Sequence, residues 1–142
     1  METGRIMAFD YGTKRTGIAV SDKTCTFSFP LETVATPLLT EWITKYLAQE
    51  EVSVFVVGEP LRADDSPATL ETHIRGFIKK LSKQWPNILV ARMDERYTSK
   101  MAFETILAGG VPKMKRRDKS LIDKISASII LQSYIDSIQN NK

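Results

Sequence analysis

The stretch Val52 to Val57, an apolar run that ends at Gly58, restricts the fold more than any other part of the chain. A strand with no solvent-facing side must be covered twice, which is how a parallel strand inside a layered α/β sheet reads. What precedes it agrees. Leu39, Trp42, Ile43, Tyr46 and Leu47 fall at spacings 0, 3, 4, 7 and 8, a single apolar stripe on a helix. A helix feeding a strand of this kind implies a parallel crossover. Earlier still, the runs Ile6 to Phe9, Thr16 to Val20 and Phe27 to Leu31 are short, strand-like and separated by turns, which suits an antiparallel meander.

Downstream, "ADDSPATLE" supplies a helix start, with Ser66 as N-cap and Pro67 at the first helical position. Leu70, Ile74, Phe77, Ile78 and Leu81 are its buried stripe, and His73 lies on its polar side or edge. Ile88 to Met93 makes a fifth strand. A further helix is expected from about Ser99 to Gly109 and Gly110, and a last one from about Lys119. The order βββαβαβαα describes one mixed sheet, antiparallel at its start and parallel after the first helix, with helices on its faces. At 142 residues, with no repeat and no linker, the whole chain 1–142 is expected to be one domain.

Composition narrows the function. Cys25 is the only cysteine, read as a strand residue, so neither a disulfide nor a thiolate zinc cluster is available; His73 is the only histidine, which excludes a His-rich zinc hydrolase. No apolar run approaches a membrane span and no leader pattern opens the chain, so a soluble, cytoplasmic protein without membrane association is expected. Twenty basic against 17 acidic residues, net +3, permits a polyanionic partner.

Sheets of this class work at the carboxyl ends of their parallel strands. Asp10 ends the first strand, Glu95 with Asp94 beside it ends the fifth, and Asp123 sits early in the last helix. Ala127 and Ile130 share the face of Asp123 and Tyr134 continues the stripe, so that carboxylate points inward, and the small Ser126, Ala127 and Ser128 allow a close approach to the sheet. Provided the first and fifth strands lie near the middle of the sheet, the three acids converge. Like charges held together repel unless a cation compensates them. Hard Mg²⁺ or Mn²⁺ would do so, and would suit water attack on a phosphodiester. Each acid also has a plainer reading: Asp10 as a turn former, Glu95 as a partner of Arg96 or Lys100, Asp123 as a complement to the helix dipole.

Four blocks in order, "MAFDYGTKRTGIAVSD", "VVGEP", "DERYTS" and "KSLIDKISASIIL", resemble the YqgF family, also called RuvX, within the RNase H-like superfamily. The resemblance runs nearly end to end. It implies a five-stranded mixed sheet with catalytic, metal-binding acids at Asp10, Glu95 and Asp123. It further implies processing of the 5′ end of precursor 16S ribosomal RNA, with resolution of DNA Holliday junctions as the older alternative. Glu59 departs from the pattern, standing where the family usually has a hydrophobic residue between Gly58 and Pro60.

Beside these acids, Lys14, Arg15 and Arg96 are candidates for phosphate contact, as is the run "KMKRRDK", with Lys113, Lys115, Arg116, Arg117 and Lys119. A solvated hairpin and a solvated loop are the plainer readings. Thr98 or Ser99 reads as a helix cap. The leading expectation is a Mg²⁺- or Mn²⁺-dependent endonuclease acting on structured nucleic acid, with precursor rRNA and ribosomal particles as partners and a monomer or homodimer as its state. A non-catalytic RNA-binding assembly factor is the second. "DYGT" also resembles the first phosphate motif of sugar kinase and actin-like ATPases, but those place nucleotide between two duplicated domains, and this chain has the length of one.

Overall fold

A computed structural model describes residues 4–59, 68–94 and 119–140. Five strands form one sheet: β1 (Arg5–Asp10), β2 (Arg15–Ser21), β3 (Ser28–Ala35), β4 (Val52–Glu59) and β5 (Leu89–Asp94). Helix α1 (Leu39–Leu47) follows a short 3-10 turn at Thr36–Leu38; α2 (Ala68–Gln84) joins the region before β5, and α3 (Lys119–Asn140) closes the described chain. The spatial order is β3-β2-β1-β4-β5. β1 runs antiparallel to β2, and β2 to β3, whereas β1 and β4, and β4 and β5, are parallel. This is the mixed sheet that the alternation of periods implies. Ser66, Pro67 and the helix expected from Ser99 lie outside the described residues.

Two side-chain populations explain the layering. Met7, Phe9, Ile18, Val20, Phe55 and Val57 point to the face covered by α1 and α2, where Leu39, Ile43, Ile74, Phe77 and Leu81 bury their stripes. Phe9 meets Phe77 edge to face at 5.3 Å, and Phe55 at 5.7 Å. The opposite face is built from smaller groups, Ile6, Ala8, Ala19 and Val56, under Ala127, Ile130, Leu131 and Ile135 of α3. Alanines in the sheet let α3 lie low on it. Val52, Phe55, Val56 and Val57 are all buried, so the run that reads as doubly covered is doubly covered.

Hydrogen bonds across this second face fix where along the sheet α3 begins. The Thr33 hydroxyl donates to the Ser120 carbonyl, and the Ser28 hydroxyl donates to that of Ser128 at 2.6 Å. The first turns of α3 therefore lie over the end of β3, beside the start of β2 and the carboxyl end of β1.

Two expectations need correction. β5 is an edge strand, as β3 is at the other margin, rather than a central one, and β4 stands between it and β1. Spacing along the sequence carries no information about that order. Cys25 is not in a strand either; it sits in the β2–β3 turn with φ 58°, a left-handed backbone, and its thiol donates to the Gly4 carbonyl at 3.4 Å. The turn around it is organised by Asp22, whose carboxylate accepts the N–H groups of Thr26 and Phe27. Among the described residues no helix is long and apolar enough to cross a membrane.

Candidate active site

Asp10 is delivered by the alternation of β1. It has the parity of Ile6 and Ala8, whose side chains lie under α3, so the strand turns it to the α3 face, half-buried at the carboxyl end. Across the antiparallel pair its partner is Gly17. That glycine is the hinge point of the site. A Cβ built on Gly17 would lie 2.0 Å from the Asp123 carbonyl oxygen, 2.3 Å from its carbonyl carbon and 2.9 Å from the Lys124 nitrogen, so only hydrogen fits between strand and helix. The backbone of Asp123 thus rests on the residue that pairs with Asp10. One glycine gathers two acids separated by most of the chain.

The rim is cationic. Arg15, the first residue of β2, donates from Nε to Oδ2 of Asp123, joining the start of the strand to the second turn of the helix. Both side chains keep part of their surface in water, 38% for Arg15 and 23% for Asp123. Around them lies a pocket of about 230 Å³ lined by Gly12, Thr13, Lys14, Arg15 and Asp123.

The turn carrying those residues is held firmly. The Thr36 hydroxyl donates to the Gly12 carbonyl at 2.6 Å and lies 2.9 Å from the Thr16 hydroxyl, while the Thr36 N–H donates to the Lys14 carbonyl at 3.0 Å. At Gly12 a Cβ would come within 2.5 Å of the Arg15 carbonyl oxygen, so the tight turn demands glycine there. Tyr11 turns to the other face of the sheet, stacks on Phe77 with ring centres 5.0 Å apart, and burial pushes its phenol above the ordinary value.

Of the residues singled out from sequence, Asp10, Asp123, Lys14 and Arg15 come together at this end of the sheet. Arg15 engages Asp123, which the solvated-hairpin reading does not include. Glu95, Arg96, Thr98, Ser99, Lys113, Lys115, Arg116 and Arg117 lie outside the described residues, and of Lys119 only the backbone, opening α3, is described. Glu59 is the last residue of β4 and pairs with Asp94 at the end of β5. Gly17 and Thr36 also build the site, though neither is among the candidates that the sequence motifs mark. A glycine inside a strand was the available signal for the first; nothing local marks the second.

The family model for RuvX, described as Holliday junction resolvase, matches residues 4–137. The chain belongs to the RuvX family. Two curated relatives, both named "Putative pre-16S rRNA nuclease", accompany it. The protein of Christiangramia forsetii is 49% identical over 131 residues, 92% of this chain and 97% of that one. That of Porphyromonas gingivalis is 48% identical over 134 residues, 94% of this chain and 97% of that one. Among solved structures, T. thermophilus RuvC in complex with a Holliday junction substrate overlays with TM-score 0.63 at 13% identity, covering 96% of each chain. At that identity the likeness establishes the RNase H-like fold.

The described donors of the RuvX chain suit a hard divalent cation. Asp123 lines the pocket and offers carboxylate oxygen, Asp10 offers it from the neighbouring end of β1, and no histidine or cysteine lines the pocket. The guanidinium resting on Asp123 shows that this end of the sheet already draws a cation. Among the described residues no group of three or more His, Cys, Asp or Glu side chains forms that would hold an ion; Glu95, the remaining acid of the expected set, is outside them.

Proposed function

We propose that this protein is a divalent-metal-dependent endonuclease that trims the 5′ end of precursor 16S rRNA in the cytoplasm. The observation that supports it is the close seat of the Asp123 backbone on Gly17, the strand partner of Asp10. Family membership and the names of the relatives supply the substrate class.

Asp10, Asp123 and Glu95 would hold Mg²⁺ or Mn²⁺, which when bound lowers the pKa of a coordinated water and stabilises charge on the phosphate oxygens. The rest belongs to the chain. Gly17 keeps the α3 carboxylate at its place over the strand, Thr36 fixes the turn, and Lys14 with Arg15 presents positive charge to the incoming phosphodiester. Arg96, Lys113, Lys115, Arg116, Arg117 and Lys119 would extend that positive field along the RNA backbone, adding affinity without sequence preference.

Cleavage of a precursor 16S leader in Mn²⁺ by the wild type and by Asp10→Asn tests the reading. Loss of cleavage in a variant whose circular dichroism is unchanged supports it; full activity in Asp10→Asn refutes it. A second reading, resolution of a DNA junction, is favoured by the family description and by the RuvC likeness. Competition between leader RNA and a four-way DNA junction for the same protein separates the two.

A further inference from the structure

Gly76 has no structural reason to be glycine. It occupies the middle of α2, where glycine is less favourable than alanine, yet its backbone is ordinary helix and a Cβ added there would meet nothing within 4 Å. Neither close packing nor unusual backbone geometry is served. What the missing side chain does is leave open a pocket of about 350 Å³ between α2 and the start of α1, within the range of about 300 to 1,000 Å³ usual for small-ligand sites.

The lining has one chemical character. His73, Gly76, Phe77 and Lys80 follow one another at helical spacing along α2, so a basic group stands on either side of the glycine gap. Thr40 brings a hydroxyl, that of Thr36 being already held by Gly12 and Thr16; Tyr11 brings an aromatic ring already stacked on Phe77, and no carboxylate lines the pocket. An anionic ligand with a flat apolar part matches that set: a nucleotide. Tyr11 immediately follows Asp10, so the pocket opens beside the carboxyl end of β1 on the sheet face opposite the acids. A strand of RNA bent over that end would reach both.

We propose that the Gly76 pocket is a subsite for one nucleotide of the substrate strand, adjacent to the residue cut at Asp10, with Lys80 and His73 on its phosphate. This rests on the nuclease reading and adds a second contact surface to it.

The test uses a fluorescein-labelled single-stranded RNA from the precursor leader, in EDTA so that no cleavage occurs, with binding followed by anisotropy. Gly76→Ala should raise the melting temperature and leave affinity within twofold. Gly76→Leu should fill the pocket, keep the fold, and weaken binding at least tenfold. Lys80→Gln should weaken it several-fold and reduce the slope of log affinity against log salt by about 0.7, the value for one phosphate contact on a single strand. Wild-type affinity and slope in both Gly76→Leu and Lys80→Gln overturn the subsite while leaving the nuclease reading intact. Should Gly76→Leu misfold, an unchanged slope in Lys80→Gln is enough to overturn it. Failure of the wild type to bind the RNA in EDTA overturns the subsite, while the nuclease reading, which depends on the metal, stands or falls with cleavage in Mn²⁺.

Discussion

Gly17 and Asp123 touch backbone to backbone: the space a Cβ would need on the strand is already taken by the helix carbonyl oxygen, 2.0 Å away. Everything at the candidate site depends on this contact, because Gly17 is also the pairing partner of Asp10. Gly17→Ala must therefore lift α3 or bend β2. The cost of such overpacking is about 1 to 3 kcal/mol. Chemical denaturation should show that loss. Cleavage should fall further than stability does, because the displaced carboxylate misplaces the chemistry. A Gly17→Ala protein of wild-type stability would mean the contact is looser than described.

Arg15 is the cation that Asp123 already has, and a metal ion would have to share or displace it. Since both side chains are partly in water, the pair is worth at most about 1 kcal/mol. Arg15→Met should consequently lower stability only slightly. Mn²⁺ affinity measured by calorimetry should rise severalfold, since a competing positive charge is gone. Weaker Mn²⁺ binding in this variant would place the ion away from Asp123.

The β2–β3 turn carries a pH dependence of its own. The Phe27 N–H, and after it the Thr24 hydroxyl and the Thr26 N–H, hold the Asp22 carboxyl down to about 2, below its ordinary 3.8. A carboxyl with a lowered folded-state pKa contributes stability that is present above the ordinary value and fades as pH falls toward the folded one. The advantage of wild type over Asp22→Asn in thermal melting should be full at about pH 5 and shrink between about pH 4 and pH 2. A difference that does not vary over that window would show that the charge on Asp22 is not what holds the turn.

Thr36 offers a test of turn rigidity apart from the acids. Thr36→Val keeps the shape but removes the hydroxyl bond to the Gly12 carbonyl and the contact with Thr16. Stability should drop by about 1 to 2 kcal/mol, within the range for an unmade buried hydrogen bond. RNA affinity should weaken in parallel as Lys14 and Arg15 lose their fixed presentation. Unchanged RNA binding would show that the turn needs no clamp.

Much of this arrangement is legible in the sequence, because periodicity is a local property. The stripes of α1 and α2, the doubly covered β4 and the inward face of Asp123 all follow from side-chain spacing, and Ala127 and Ile130 are buried as that spacing implies. Long-range relationships were not legible. The bond from Arg15 to Asp123 spans 108 positions, and the place of β5 at the sheet margin depends on how strands are ordered, which spacing does not encode. Gly17 was within reach: a glycine in the interior of a strand marks weakness or close approach, and the small residues of α3 pointed to close approach from the other side. Cys25 misled because its flanking residues alternate like a strand while the Asp22 side chain captures the local N–H groups and turns the chain.

If the site works as proposed, Asp10 and Asp123 share a divalent ion. Anomalous diffraction from crystals soaked in Mn²⁺ tests it most directly. A manganese peak is expected within coordination distance of carboxylate oxygens from both residues, about 2.0 to 2.3 Å, and absent from Asp10→Asn crystals. Manganese bound elsewhere, or a peak that persists unchanged in Asp10→Asn, would contradict it.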